Sequence, residues 1–184
     1  MRFFDITANE QKITAFYDFY KRYFPPHERD TLKSMKTLAQ RSAANSKWRY
    51  VIVEIMDGKN QVGGLIYDWF SDINVLIIEF VFVAEAYRHH KIAGRLIKRL
   101  EHKLPDITIL VEVEKDGPAK AFWTKMGFSV VPYRYIQPSI SATQKPFDGL
   151  MLMSNRPVKN LRNILQNHYW KYAFINGTTN SDDD

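Results

Sequence analysis

Glu79 to Leu100, EFVFVAEAYRHHKIAGRLIKRL, passes from a β-branched and aromatic run through a basic turn into a helical pattern. The full strand, NVLIIEFVFV from Asn74 to Val83, is apolar on both alternating faces, the signature of a strand covered on both sides and central in its sheet. From His90 the period changes: Ile92, Leu96, Leu100 and Leu104 recur every four residues with basic residues on the other faces, and Pro105 ends the helix. A helix that begins in such a turn aims its free backbone N–H groups and positive dipole end into the loop. With Arg88, His89, His90 and Lys91 around it, that loop has the chemistry of a phosphate site.

Working outward, Met1 to Ile6 reads as a short strand and Asn9 to Phe24 as a helix stopped by Pro25-Pro26. His27 to Ala43 reads as a second helix. Trp48 to Met56 and Gln61 to Phe70, joined by Asp57-Gly58-Lys59-Asn60, predict a hairpin. Beyond the central helix come a strand at Ile107 to Glu114 and a short helix at Pro118 to Met126, followed by Gly127. Strands are expected at Phe128 to Gln137 and Leu150 to Met153, and an amphipathic helix at Asn160 to Phe174. Residues 176–184 read as a polar, frayed tail after a single domain spanning 1–175. The fold class is α/β, a mixed central sheet flanked by helices with an additional C-terminal helix.

The chain of 184 residues suits one core, and 45% apolar with 14% aromatic residues fits a packed globule. Cysteine is absent, which removes disulfides, thiolate metal sites and a thiol nucleophile. The opening lacks a signal-like apolar run and no stretch is long enough to span a bilayer, so the expectation is a cytoplasmic protein without membrane contact. Net charge is +6, and Arg88 to Lys103 alone carries a local net of +5. That concentration suits a polyanionic partner.

At Arg88, Lys91 and Ala93 the loop resembles the GCN5-related N-acetyltransferase (GNAT) superfamily, whose motif there is Arg or Gln, two residues, Gly, any, then Gly or Ala. Lys91 stands where the family has a glycine, and so must either take a glycine-like backbone at some cost or shift the loop. IEFVFV is similar to the family's acetyl-CoA strand, and AFWTKMGF, Ala121 to Phe128, to its late helix ending in Gly-Phe. That helix carries Trp123 where a Tyr is usual, and Asp116 stands where an Asn is usual. The resemblance covers about Trp48 to Met153.

The resemblance implies acetyl-CoA as co-substrate, held by Val81, Phe82 and Val83, by Arg88, His89, His90, Lys91, Ile92, Ala93 and Gly94, and by Asp116, Phe122 and Trp123. It also implies direct transfer of the acetyl group to a primary amine of a small molecule or peptide. An amine of pKa about 10.4 costs roughly 4.6 kcal/mol to deprotonate at neutral pH, so a base matters. Glu79, the single carboxylate in NVLIIEFVFV, is the candidate, with Glu54 its rival; burial among apolar neighbours should raise its pKa. Trp123 cannot protonate a leaving thiolate, and Tyr133 or Tyr135, on the strand expected after the late helix, is taken as the candidate acid, although neither matches a family motif. No metal site is expected, because His89 and His90 have no further ligand at suitable spacing. Two other functions stay open, an inactive acetyl-CoA sensor or scaffold and a nucleic-acid-binding module. The C-terminal helix could pack, close the acceptor pocket or form a homodimer contact.

Overall fold

The computed structural model describes residues 1–26, 28–138 and 146–173. They gather into two compact units, Met1–Ile107 and the chain from Thr108 onward. The expected tail at 176–184, the start of the second helix at residue 27 and the last residue of the C-terminal helix lie outside the described residues.

In the first unit β1 (Arg2–Asp5), β2 (Trp48–Asp57), β3 (Asn60–Phe70) and β4 (Val75–Val83) form an antiparallel run in that order. Asp57 pairs with Asn60, so the hairpin loop is only Gly58-Lys59, and Gly58 takes the φ of +60° that such a tight turn requires. Helix α1 (Glu10–Tyr20) starts where Asn9 accepts the Lys12 N–H at 2.9 Å. It ends earlier than the sequence suggested, and Arg29 takes up the Lys21 and Phe24 carbonyls at 3.1 and 3.2 Å. Helix α2 (Leu32–Ala43) starts later than expected, because Thr31 is extended and its hydroxyl caps the Ser34 N–H.

One face of this sheet is covered by α1. Gly64 on β3 lets the helix come close: a Cβ there would lie 2.5 Å from the Phe16 ring. Phe16 and Tyr20 are fully buried, and Tyr20, Phe24, Phe80 and Phe82 form a continuous aromatic packing with ring centroids 4.9–5.9 Å apart. β4 reaches this packing through an irregularity in its pairing. Ile66 stands opposite Phe80 and Tyr67 opposite Ile78, which leaves Glu79 as an extra residue, a β-bulge. Ile77 lies opposite Asp68 on the α1 face, so by alternation Glu79 shares that face, and the bulge returns Phe80 and Phe82 to it as well. Val75 to Ile78 are buried without a break, as the two-sided pattern predicts.

A single 3₁₀ turn, Glu85–Tyr87, leads into α3 (Ile92–Lys103). Its apolar stripe, Ile92, Leu96, Ile97 and Leu100, is buried, while Arg95, Lys98, Arg99 and Lys103 are exposed. Arg99 lies over the ring of Phe3 at 5.7 Å.

In the second unit β7 (Leu150–Ser154) pairs antiparallel with both β5 (Thr108–Glu114) and the short β6 (Ser129–Val130). Helix α4 (Ala119–Lys125) follows Pro118, and Gly127 closes it with φ +89°. The strand expected from Phe128 to Gln137 shrinks to two residues. Pro132 has no N–H for the ladder and the Tyr133 N–H turns back to the Val131 carbonyl at 2.8 Å. Gln137 then makes only an isolated bridge with Phe147. The C-terminal helical run is expected as one regular helix. It comprises α5 (Leu161–Ile164), a π-helical segment Leu165–Tyr169 and α6 (Trp170–Ala173). No helix among the described residues is long and apolar enough to cross a membrane.

Candidate active site

The end of β4 offers backbone groups before any side chain matters. Ala84 N–H bonds to the Val62 carbonyl at 2.8 Å, and antiparallel pairing alternates, so Val81 and Val83 turn their N–H and C=O groups away from β3. The Val83 carbonyl accepts from Arg88 Nε at 3.4 Å, which ties the first basic residue of the loop to the strand end.

Two of the next residues are strained. His89 has φ +67° and Lys91 φ +58°, ψ +24°, both left-handed and neither glycine. The sequence reading of Lys91 as a side-chain-bearing residue in a glycine's conformation is what the backbone shows. Such a conformation costs on the order of 1 kcal/mol or more at each residue. It turns the chain so that α3 starts immediately, and Arg95 N–H to Lys91 C=O is its first bond, at 2.9 Å. The amides of Ile92, Ala93 and Gly94 precede that bond. No side chain caps them, whereas Asn9 and Thr31 cap α1 and α2. Arg88, His89, His90 and Lys91 are all exposed around this end, and the Tyr87 and His90 rings meet edge-on at 6.4 Å. Uncapped amides, a positive helix end and exposed basic side chains suit an anionic group such as a phosphate.

Glu79 belongs to a polar cluster that the sequence reading missed. Asp68 on β3 is completely buried and accepts from Trp48 Nε1 at 2.5 Å, and Glu79 lies on the same face of the sheet. Asp30, just before α2, accepts from the Tyr50 hydroxyl at 3.5 Å and donates its own N–H to the Tyr20 hydroxyl at 3.1 Å. Burial pushes the Asp68 carboxyl up to about 6, against hydrogen bonds from Glu79 and Trp48 that lower it. Burial and then the charge of Asp68 push Asp30 up to about 7. The Tyr20 and Tyr50 hydroxyls are driven far above the ordinary tyrosine range, mainly by burial and then by Asp30, with Glu79 adding to both. One signal was available in the sequence. Asp68 interrupts VGGLIYDWF, a run otherwise free of charge. Glu54 pairs with Gly64 and Phe4, four residues along β2 from Tyr50, the partner of Asp68.

The second unit holds the remaining candidates. Asp116 is exposed in the turn after β5. Trp123 is buried, 2% exposed, packed against Phe128 at 4.8 Å and Phe122 at 5.1 Å, while Phe122 is half-buried. Tyr135 is also buried, and its hydroxyl donates to Glu112, which accepts from Gln137 Nε2 as well. Tyr133 is half-buried. No cluster of metal-ligating side chains occurs among the described residues.

The model of the acetyltransferase (GNAT) family matches residues 13–128, and the chain belongs to that family. Among solved structures it resembles a GNAT-family protein from Bacteroides thetaiotaomicron with a TM-score of 0.75 at 19% identity, over 95% of this chain and 98% of that one. The ribosomal-protein-S18-alanine N-acetyltransferase from Escherichia coli follows at TM-score 0.58 and 14% identity, covering 86% and 97%. An aminoglycoside 6'-N-acetyltransferase complexed with coenzyme A gives 0.59 and 16%, covering 87% and 100%. Nothing among the curated proteins matches the chain. The α/β fold expected from the sequence, a mixed sheet flanked by helices, is the fold these likenesses show.

Proposed function

We propose that this chain is an acetyl-CoA-dependent N-acetyltransferase that passes the acetyl group directly to a primary amine of a small molecule or peptide. The observation that carries the reading is the left-handed pair His89 and Lys91, which presents the uncapped amides of Ile92, Ala93 and Gly94 beside four basic side chains. A fold shared by enzymes named for a ribosomal protein and for an aminoglycoside does not choose the acceptor.

In this reading Arg88, His89, His90 and Lys91 with the first turn of α3 hold the phosphates, and the outward backbone of Val81 and Val83, with Phe82 between them, lines the thioester arm. Acetyl-CoA supplies an acyl group already activated as a thioester. Asp116, Phe122 and Trp123 are proposed on the cofactor side, with Trp123 acting through packing. Glu79 removes the acceptor's proton. Tyr133 or Tyr135 is the proposed acid for the leaving thiolate, Tyr135 with its hydroxyl already oriented by Glu112. The strained loop and the buried Trp123 also suit a domain that binds acetyl-CoA without turnover.

Acetyl-CoA at micromolar concentration should raise the melting temperature, Arg88→Ala should weaken that effect, and a nucleic acid of roughly 20 nucleotides should do little. Absence of a shift with acetyl-CoA sinks the enzyme and sensor readings together. On an amine that is turned over, Glu79→Gln should slow the reaction by about a hundredfold or more. A shift with no turnover on any amine would leave the sensor.

A further inference from the structure

Asp68 is completely buried, and only half of its carboxyl is accounted for. Oδ1 accepts the Trp48 indole N–H at 2.5 Å, while Oδ2 has no hydrogen-bond partner among the described residues. A carboxylate oxygen shut away from water without a donor is costly. Tyr50 stands directly opposite Asp68 in the β2–β3 ladder, and the Tyr50 hydroxyl reaches a second carboxyl, that of Asp30, at 3.5 Å. Asp30 is half-buried, and its own N–H is fixed on the Tyr20 hydroxyl at 3.1 Å. Neither carboxyl is paired with a Lys, Arg or His among the described residues. Arg29, next to Asp30 in sequence, is engaged elsewhere: its guanidinium bonds to the Lys21 and Phe24 carbonyls and lies 5.9 Å from the centre of the Tyr17 ring.

Tyr20 joins these acids to the aromatic packing of the α1 face. The rings of Tyr20, Phe24 and Phe80 meet pairwise at centroid distances of 5.1, 5.2 and 4.9 Å, and Phe24 and Phe80 are only half-buried. Ring faces attract a cation within about 6 Å, and a carboxylate adds a charge-assisted hydrogen bond. Two acids and three rings, with no basic side chain paired to either acid, select a compact cation on an apolar stem, an alkylammonium. Glu79 shares this face and immediately precedes Phe80, so a molecule lying on the rings has an end beside the residue read as the base.

We propose that Asp30 and Asp68, with the rings of Tyr20, Phe24 and Phe80, form a subsite for a second ammonium group of the acceptor, which makes that acceptor an aliphatic diamine or polyamine. The proposal rests on the transferase reading with Glu79 as the base. One amine lies at Glu79 and gives up its proton, while the other stays protonated in the subsite. An ammonium carries three N–H donors, enough to serve Asp30 and the Oδ2 of Asp68 together. The methylenes between the two amines lie over Phe24 and Phe80. A monoamine of the same length covers the rings but leaves both acids without a donor, and a site built around polar groups discriminates strongly against a ligand that cannot pair them.

The test is a calorimetric titration of the full chain with two probes: putrescine, a butane chain with an amine at each end, and butylamine, the same chain with one. At about pH 8 both acids are ionised, since burial raises Asp30 to about 7 and Asp68 to about 6. Putrescine should bind about tenfold or more tighter than butylamine. Asp30→Asn keeps the shape of the side chain and removes its charge, and should bring the two affinities within about threefold of each other. Asp18→Asn removes an exposed acid that pairs with Lys21 at 3.0 Å, and should leave the preference as it was, which separates the subsite from a general attraction for dications. Equal affinities in the unmodified chain, or no binding of either probe, overturn the proposal and assign Oδ2 to a buried water. A preference that survives Asp30→Asn overturns it as well. The transferase reading is tested apart from the subsite. Preferred binding of putrescine with no acetylated product upholds the subsite and removes the transfer, whereas butylamine bound and acetylated as readily as putrescine upholds the transfer and removes the subsite.

Discussion

Lys91 adopts a backbone that glycine would take without penalty, so its two smallest replacements separate strain from charge. Lys91→Gly and Lys91→Ala both remove the cation, but only glycine relieves φ +58°. The glycine variant should be more stable than the alanine variant by about 1 kcal/mol, or roughly 2–4 °C in melting temperature for a chain of this size. Equal melting points would show that the loop carries no strain there. Asp30 gives a prediction in pH. Its carboxyl is raised from 3.8 to about 7, so between those values the folded chain keeps a proton that the unfolded chain has released. Its contribution is therefore full below about pH 4 and lost as the pH rises through about 7, and Asp68 acts in the same sense. Asp30→Asn should flatten the fall in urea midpoint between about pH 5 and 7.5; an unchanged slope would contradict the shift. At this scale the sequence was half legible. Lys91 could be read because a local motif names its backbone. Asp68 stood out only as a charge in an apolar run, because its partner is an indole twenty residues away that the pairing of β2 with β3 brings to it.

Among the elements, β4 was readable to within a residue of its start because four consecutive buried positions leave no alternative to a two-sided strand. The bulge inside it was not, since alternation continues on either side of Glu79 and only the partner strand reveals the extra residue. β6 was overread for the opposite reason: the aromatic and β-branched content of Phe128 to Gln137 suggests a strand, but Pro132 withholds the amide the ladder needs. The contact between α1 and β3 makes a sharper expectation. A methyl added at Gly64 would fall within 2.8 Å of both Phe16 and Phe82, neither of which has room to retreat in the aromatic packing. Gly64→Ala should cost about 1–3 kcal/mol and lower the melting temperature by several degrees. A neutral result would mean that α1 slides on the sheet.

For the molecule as a whole, the sequence identified the family-level fold because charge, period and turn chemistry all converge on Glu79 to Leu100. Nearly all of the net charge sits in the segment around α3, whose Arg95, Lys98, Arg99 and Lys103 are exposed. Binding of a polyanion should therefore weaken several-fold as ionic strength rises from about 0.05 to 0.5 M, over which the screening length falls from roughly 14 to 4 Å. Calorimetric titration with acetyl-CoA at the two salt concentrations checks this; a salt-independent affinity would place the anion away from α3. The bond from the Trp48 indole to Asp68 has a last consequence. Because that indole donates to a buried carboxyl raised to about 6, its ultraviolet emission should change with the charge of Asp68. The protein thus carries an optical reporter of its own protonation, readable without label or acceptor, and silent once Trp48 is replaced by Phe.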